Sequence, residues 1–123
     1  MAIHSIDHVQ FGFAKGREAE LRHFYGDLLG LSEVVDGEGR PGTLRFEAGA
    51  QRIDFVALPR PLPGEGVHLA LSVEGLPSLR QRLQRAGVAI DEQRPLPGHR
   101  RLYVQDPAGH RIELLEPVWQ EAA

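Results

Sequence analysis

The sequence predicts an α+β chain built from two copies of a β-α-β-β-β module. Three observations lead to that class. AGAQRIDFVAL (48–58) and PAGHRIELLEP (107–117) share an Ala-Gly turn followed by Arg-Ile-acid-apolar, which sets Asp54 and Glu113 59 residues apart. IDHVQF (6–11) and GVHLAL (66–71) are alternating apolar runs with a histidine third in each, so His8 and His68 are 60 residues apart. A seam rich in proline and glycine, PRPLPGEG (59–66), separates the copies.

The elements follow in order. IHSIDHVQFGF alternates Ile6, His8 and Gln10 against Asp7, Val9 and Phe11, a period of two that predicts a strand. EAELRHFYGDLLGL sets Leu21, Phe24, Tyr25, Leu28 and Leu29 at helical spacing, with Gly30 as C-cap. Three strands are expected at 32–36, 43–47 and 52–58, divided by the turn-rich GEGRPG and AGAQ. After the seam, VHLALSV reads as a strand. LPSLRQRLQRAG reads as a helix with Leu76, Leu79, Leu83 and Ala86 on one face, opened by Pro77 and closed by Gly87. VAIDEQ, RRLYVQDP and HRIELLEP supply three more strands. The expected organisation is one domain over 1–123, with module 1 at about 1–58, a linker at 59–66 and module 2 at about 67–117. Two copies are too few for a solenoid; two modules, each with an open face, pair to enclose something.

Composition narrows the partners. The chain has 123 residues, enough for one domain burying roughly two-thirds of the surface its unfolded form exposes. Formal net charge is −3 and the basic residues are not gathered into a run, which disfavours nucleic acid. No cysteine is present, which excludes disulfides, thiolate metal ligands and a cysteine nucleophile. No apolar stretch approaches ~18 residues and MAIHSIDH has no signal-peptide core. A cytoplasmic protein with a small-molecule substrate and no membrane association is the expectation.

A single histidine on a strand is ordinary, but two histidines and two acids on one period suggest a common site. Four unpaired ionisable groups facing inward would be costly to bury, whereas a divalent cation accepts both imidazoles and compensates both carboxylates. His8, Asp54, His68 and Glu113 offer only nitrogen and oxygen donors, which suit Zn, Ni, Co, Mn or Fe(II). Asp54 is the short member, and without it His8, His68 and Glu113 form a two-histidine, one-carboxylate set. The remaining histidines have simpler readings: His4 and His23 solvated, His110 in a turn, His99 in a loop. Asp106 in QDPAG is a turn organiser, and Trp119 a packing or interface residue.

IDHVQF, FYGDLLGL, HLALSV, LRQRLQRAGV and LYVQDPAGHRIELLEP together resemble the vicinal oxygen chelate superfamily. That group includes glyoxalase I, fosfomycin- and bleomycin-resistance proteins, methylmalonyl-CoA epimerase and extradiol dioxygenases. The resemblance implies two paired βαβββ modules forming a curved, open eight-stranded mixed sheet around a cleft. It implies metal ligation by His8, His68 and Glu113, with Asp54 at a fourth position that is often Glu. It also places Tyr103 on the cleft side as a catalytic and substrate-binding residue. By strand alternation Arg101 shares its face and Gln10 shares that of His8, both as substrate-binding residues.

The leading expectation is a glyoxalase I-like lyase or isomerase, in which the metal holds two neighbouring substrate oxygens and stabilises an enediolate. Glu113 or Asp54 would be the base, Asp54 being the easier to release. The alternatives are an Fe(II) extradiol-type dioxygenase and a protein that binds an antibiotic or metabolite without turnover. The resemblance also implies a homodimer, with Trp119 and the tail LLEPVW near an interface.

Overall fold

The computed structural model describes residues 2–35 and 42–118, and the chain divides into two compact units, Met1–Pro63 and Gly64–Ala123. The boundary falls inside the proline-rich 59–66 stretch. Trp119 and Asp36 lie outside the described residues.

The first unit starts with β1 (His8–Ala14), followed by a short helix, α1 (Glu18–Leu21). This helix runs on as a π-helical stretch, Arg22–Leu28, and ends with the Leu29 amide donating to the Phe24 carbonyl at 2.9 Å. Then come β2 (Ser32–Glu33), β3 (Thr43–Ala48) and β4 (Gln51–Leu58). The strand order is β1-β4-β3-β2, with β1 and β4 parallel and the other pairs antiparallel. A parallel first-to-last pairing needs a crossover, and the helical stretch lies within it.

Alternation decides what each face carries. Val9 and Phe11 stand in register with Ile53 and Phe55, so they share a face; His8 and Gln10 stand in register with Arg52 and Asp54 on the other. The apolar face packs on the helical stretch through an aromatic cluster. Tyr25 lies 4.7 Å from Phe55, 5.0 Å from Phe24 and 5.7 Å from Phe46 between ring centroids. Tyr25, Phe55 and Phe46 are fully buried, and rings at tilted or edge-on angles favour one another beyond the area they hide.

The second unit repeats the plan. It holds β5 (Leu69–Ser72), α2 (Leu76–Arg85), β6 (His99–Gln105) and β7 (Arg111–Pro117). The order is β5-β7-β6, with β5 and β7 parallel and β6 and β7 antiparallel. The strand expected at 88–93 is reduced to one bridge, in which Asp91 and Tyr103 exchange both backbone hydrogen bonds at 2.9 Å. The reason is local. The Asp91 carboxylate accepts the Gln93 amide at 2.9 Å and turns the chain away, and Pro95 and Pro97 follow with no amide hydrogen to donate. The bridge still lies beyond β6, where β2 lies beyond β3, so both modules have the same strand order.

α2 opens at Gly75, whose φ of 74° suits glycine, with Pro77 in the first turn. No side chain of its own caps it. Glu116, from the end of β7, accepts the Gly75 amide at 2.6 Å and the Leu76 amide at 3.2 Å, so a strand 40 residues on satisfies the helix start. Leu76, Leu79 and Leu83 are buried on the inner face, while Ala86 follows the helix as its C-cap and is exposed. Among the described residues no helix is long and apolar enough to cross a membrane.

Candidate functional site

In each unit the face opposite the helices carries the polar residues of the repeat, and the strand register decides which of them meet. Gln10 on β1, Asp54 on β4 and Arg45 on β3 form one cross-strand row. Ala70 on β5, Glu113 on β7 and Tyr103 on β6 form the equivalent row, which Asp91 extends. The acids therefore occupy matching places. Their neighbours differ, with Ala70 where the first module has Gln10 and Tyr103 where it has Arg45.

Around Asp54 the partners are cationic. Its carboxylate is 4% exposed and accepts Arg52 Nε at 3.2 Å and Nη2 at 3.4 Å, one bond to each oxygen. Arg45 Nε lies 3.9 Å away, as does His8 Nε2. His8 is exposed, and its Nδ1 faces the Asp7 carboxylate at 2.8 Å. That hydrogen bond, with Arg52 adding its charge, holds the Asp7 carboxyl below the usual carboxylate range. Gln10 is exposed on the same face.

Around Glu113 the partners can exchange protons. The carboxylate is 7% exposed, and its Oε1 accepts the Tyr103 hydroxyl at 3.0 Å and faces His68 Nε2 at 2.9 Å. Oε2 has Arg101 Nη1 at 3.8 Å, beyond hydrogen-bond range. Arg101 itself is turned to the Arg94 carbonyl, to which its Nε donates at 2.9 Å. The His68 and Tyr103 rings meet edge-on at 5.8 Å. The structure thus joins His68, Glu113 and Tyr103 in one hydrogen-bonded set, with Arg101 at its margin.

The two acids differ as hosts for a divalent cation. His68 and Glu113 present a nitrogen and an oxygen donor side by side, the donor chemistry such an ion takes. At Asp54 both oxygens accept from Arg52, and Arg45 adds a second positive charge nearby. Among the described residues no group of three His, Cys, Asp or Glu gathers closely enough to hold an ion.

The other polar candidates have separate roles. Asp106 is buried and organises its turn, accepting the Ala108 amide at 2.9 Å and the His110 amide at 2.8 Å. His23 pairs with Asp27 at 3.0 Å on an exposed surface, His99 Nδ1 lies 3.2 Å from the Pro97 carbonyl, and His4 is exposed. Arg52, Arg45 and Arg111 are site residues that sequence reasoning did not assign. The Arg-Ile-acid repeat contains two of them, and that spacing was the available signal.

Comparison with known proteins follows the same line. A family model described as Glyoxalase/Bleomycin resistance protein/Dioxygenase superfamily matches residues 5–114. A crystal structure of a glyoxalase family protein from Bacillus anthracis is 33% identical, covers 95% of this chain and 98% of its own, and has a TM-score of 0.86. TnmS3, an antibiotic binding protein from Streptomyces sp. CB03234, is 26% identical over 95% of this chain and 98% of its own, with a TM-score of 0.77. Lactoylglutathione lyase from Agrobacterium tumefaciens shares the fold at 19% identity, covering 91% and 92% of the two chains with a TM-score of 0.71. No curated protein sequence matched. The matched model spans nearly the whole chain, from before the first strand into the last: this protein belongs to the Glyoxalase/Bleomycin resistance protein/Dioxygenase superfamily.

Proposed function

We propose that the protein acts on a small oxygenated molecule with the help of a divalent cation, and that Glu113 is its working carboxylate. The observation that carries this reading is the His68–Glu113 contact at 2.9 Å on a buried acid shared with Tyr103. His68 and Glu113 are the proposed donors of the second module, and His8 is the proposed donor of the first. A bound cation would supply Lewis-acid polarisation of neighbouring substrate oxygens.

The chain's own groups do the rest. Tyr103 and His68 occupy Oε1 of Glu113, so Oε2 is the oxygen left to accept a proton from a carbon beside an oxygenated one. Tyr103 fixes the carboxylate's orientation through its hydroxyl. Arg101, 3.8 Å from Oε2, lends positive charge as that oxygen exchanges its proton. Asp54 takes a different part in this proposal. Arg52 engages both its oxygens, which makes it a structural anion rather than the releasable base.

A second reading, binding without turnover, is favoured by one observation: both repeat acids already have internal partners and need no cation to be satisfied. The likeness to an antibiotic binding protein at 26% identity is consistent with it. Elemental analysis of the purified protein, then a screen of α-oxygenated carbonyl compounds and catechols with the metal found, separates the readings. Stoichiometric metal with turnover supports the enzyme. Metal-free protein that gains neither metal nor activity on addition supports the binder. We also propose a homodimer, which sedimentation at micromolar concentration tests.

A further inference from the structure

The second module has a depression of about 390 Å³, lined among others by Ala89, Ile90, Asp91, Tyr103, Gln105 and Arg111. This is within the size range of small-molecule sites. One wall is the Tyr103 ring, whose hydroxyl reaches Glu113. Arg111 covers that ring, its guanidinium carbon 4.0 Å from the centroid, and Arg101 lies 5.4 Å from the same ring. Two guanidiniums thus face one aromatic ring, and the carboxylate nearest Arg111, that of Asp91, is 3.9 Å away.

Arg111 is the unusual member. Its side chain is 42% exposed and makes no hydrogen bond among the described residues. A cation–π contact uses none of the five guanidinium N–H donors. By contrast Arg52, its counterpart in the repeat, uses two on Asp54, and Arg101 is held by the Arg94 carbonyl. Arg111 therefore brings a planar, permanently charged fork with unused donors to a partly apolar pocket. A carboxylate matches that fork bidentately.

We infer that this depression binds the carboxylate of a small organic acid through Arg111, with Tyr103 and Ile90 against the acid's apolar body. The inference rests on the proposed function for its direction: Arg111 and Glu113 are two residues apart on one face of β7, about 6.6 Å. A carboxylate held at Arg111 directs a carbon a few bonds away towards Glu113. The substrate class is accordingly a small carboxylic acid carrying an oxygen on a nearby carbon.

The test uses the full-length protein treated with EDTA, so that it does not depend on the cation reading. Benzoate and its uncharged analogue benzamide are titrated into the ¹⁵N-labelled protein and followed by amide shifts. Benzoate is expected to move the Tyr103, Gln105, Gly109 and Arg111 amides and to bind about tenfold or more tighter than benzamide, as one charge-assisted pair gives. R111M should abolish that preference and R111K should keep part of it, both at unchanged Tm. Equal affinities in the wild type, shifts elsewhere, or an R111M protein that still prefers benzoate would overturn the inference. The two readings fail separately: metal content measured before EDTA treatment bears only on the cation, and the benzoate titration bears only on the carboxylate pocket.

Discussion

Tyr103 and Glu113 stand directly opposite each other on β6 and β7, and the Tyr103 hydroxyl donates to Glu113 Oε1 at 3.0 Å. This contact ties a buried carboxylate to the wall of the adjoining depression. It also leaves Glu113 with one oxygen engaged and one available.

Tyr103→Phe keeps the ring and removes the donor. Because His68 still faces the same oxygen, the expected loss of stability is modest, about 1–2 kcal/mol. Activity on any substrate found should fall further, by roughly 10–100-fold, because the carboxylate loses its fixed orientation. Thermal unfolding beside steady-state kinetics checks the split; a large Tm loss with unchanged activity would argue against this role.

Metal binding should separate the two acids. Glu113→Ala, His68→Ala and His8→Ala each remove a proposed donor and should lower occupancy sharply. Asp54→Ala should spare the metal and cost about 1–3 kcal/mol of stability instead, because Arg52 and Arg45 lose their shared anion. Metal stoichiometry after dialysis, with chemical denaturation of the same samples, reads both. If Asp54→Ala empties the site as fully as Glu113→Ala, Asp54 is a ligand and its pairing with Arg52 gives way when metal binds.

Cation uptake should release protons. His68 Nε2 faces the Glu113 carboxylate, and a ligating imidazole must be neutral. A neutral ring only moves its proton to Nδ1, whereas a protonated one releases a proton, so the titration is run in acidic buffer. Zinc titrated calorimetrically in two buffers of different ionisation enthalpy should show the release. His68→Ala should diminish it, and an enthalpy independent of buffer would count against ligation through this nitrogen.

Glu116 predicts an acid-labile helix start. The Gly75 amide, with those of Leu76 and the Arg100 guanidinium, holds the Glu116 carboxyl below its ordinary value of 4.5. Its unfolded-state value is the higher one, so the contribution is complete above roughly pH 5–6 and is lost as pH falls through the depressed value. Glu116→Gln should lower Tm by a few degrees at pH 7 and by less near pH 3, where the wild type has itself lost part of the interaction. A Tm difference that stays constant from pH 7 to pH 3 would remove the charge from the argument.

In the first module the aromatic cluster sets stability. Phe55→Ala leaves a cavity beside Tyr25 and Phe46 and should cost about 3–5 kcal/mol, whereas Phe55→Leu should cost less. Denaturant midpoints compare them.

The sequence by itself determined the duplicated module and the face on which its chemistry lies. A period of two along IDHVQF and RIDFV assigns each side chain to one side of its own strand, so His8 and Gln10 could be read onto one face, and Asp54 onto the face opposite Ile53 and Phe55, before any partner was known. The repeat likewise marked Asp54 and Glu113 as counterparts. Periodicity tells which way a side chain points, but not what it meets. That is settled by register between strands distant in sequence: Tyr103 reaches Glu113, and Glu116 reaches Gly75, 41 residues away, only once β7 has paired. Asp54 and Glu113 look equivalent in sequence, yet a two-residue neighbour, Arg52, closes on the first while Arg111 turns onto the Tyr103 ring beside the second. Both arginines occupy the same repeat position. The residue across the strand, Arg45 in one module and Tyr103 in the other, differs between them: a cation offers no ring to cover, and an aromatic face draws the guanidinium away from the acid. Tertiary pairing therefore gave two matching acids different surroundings.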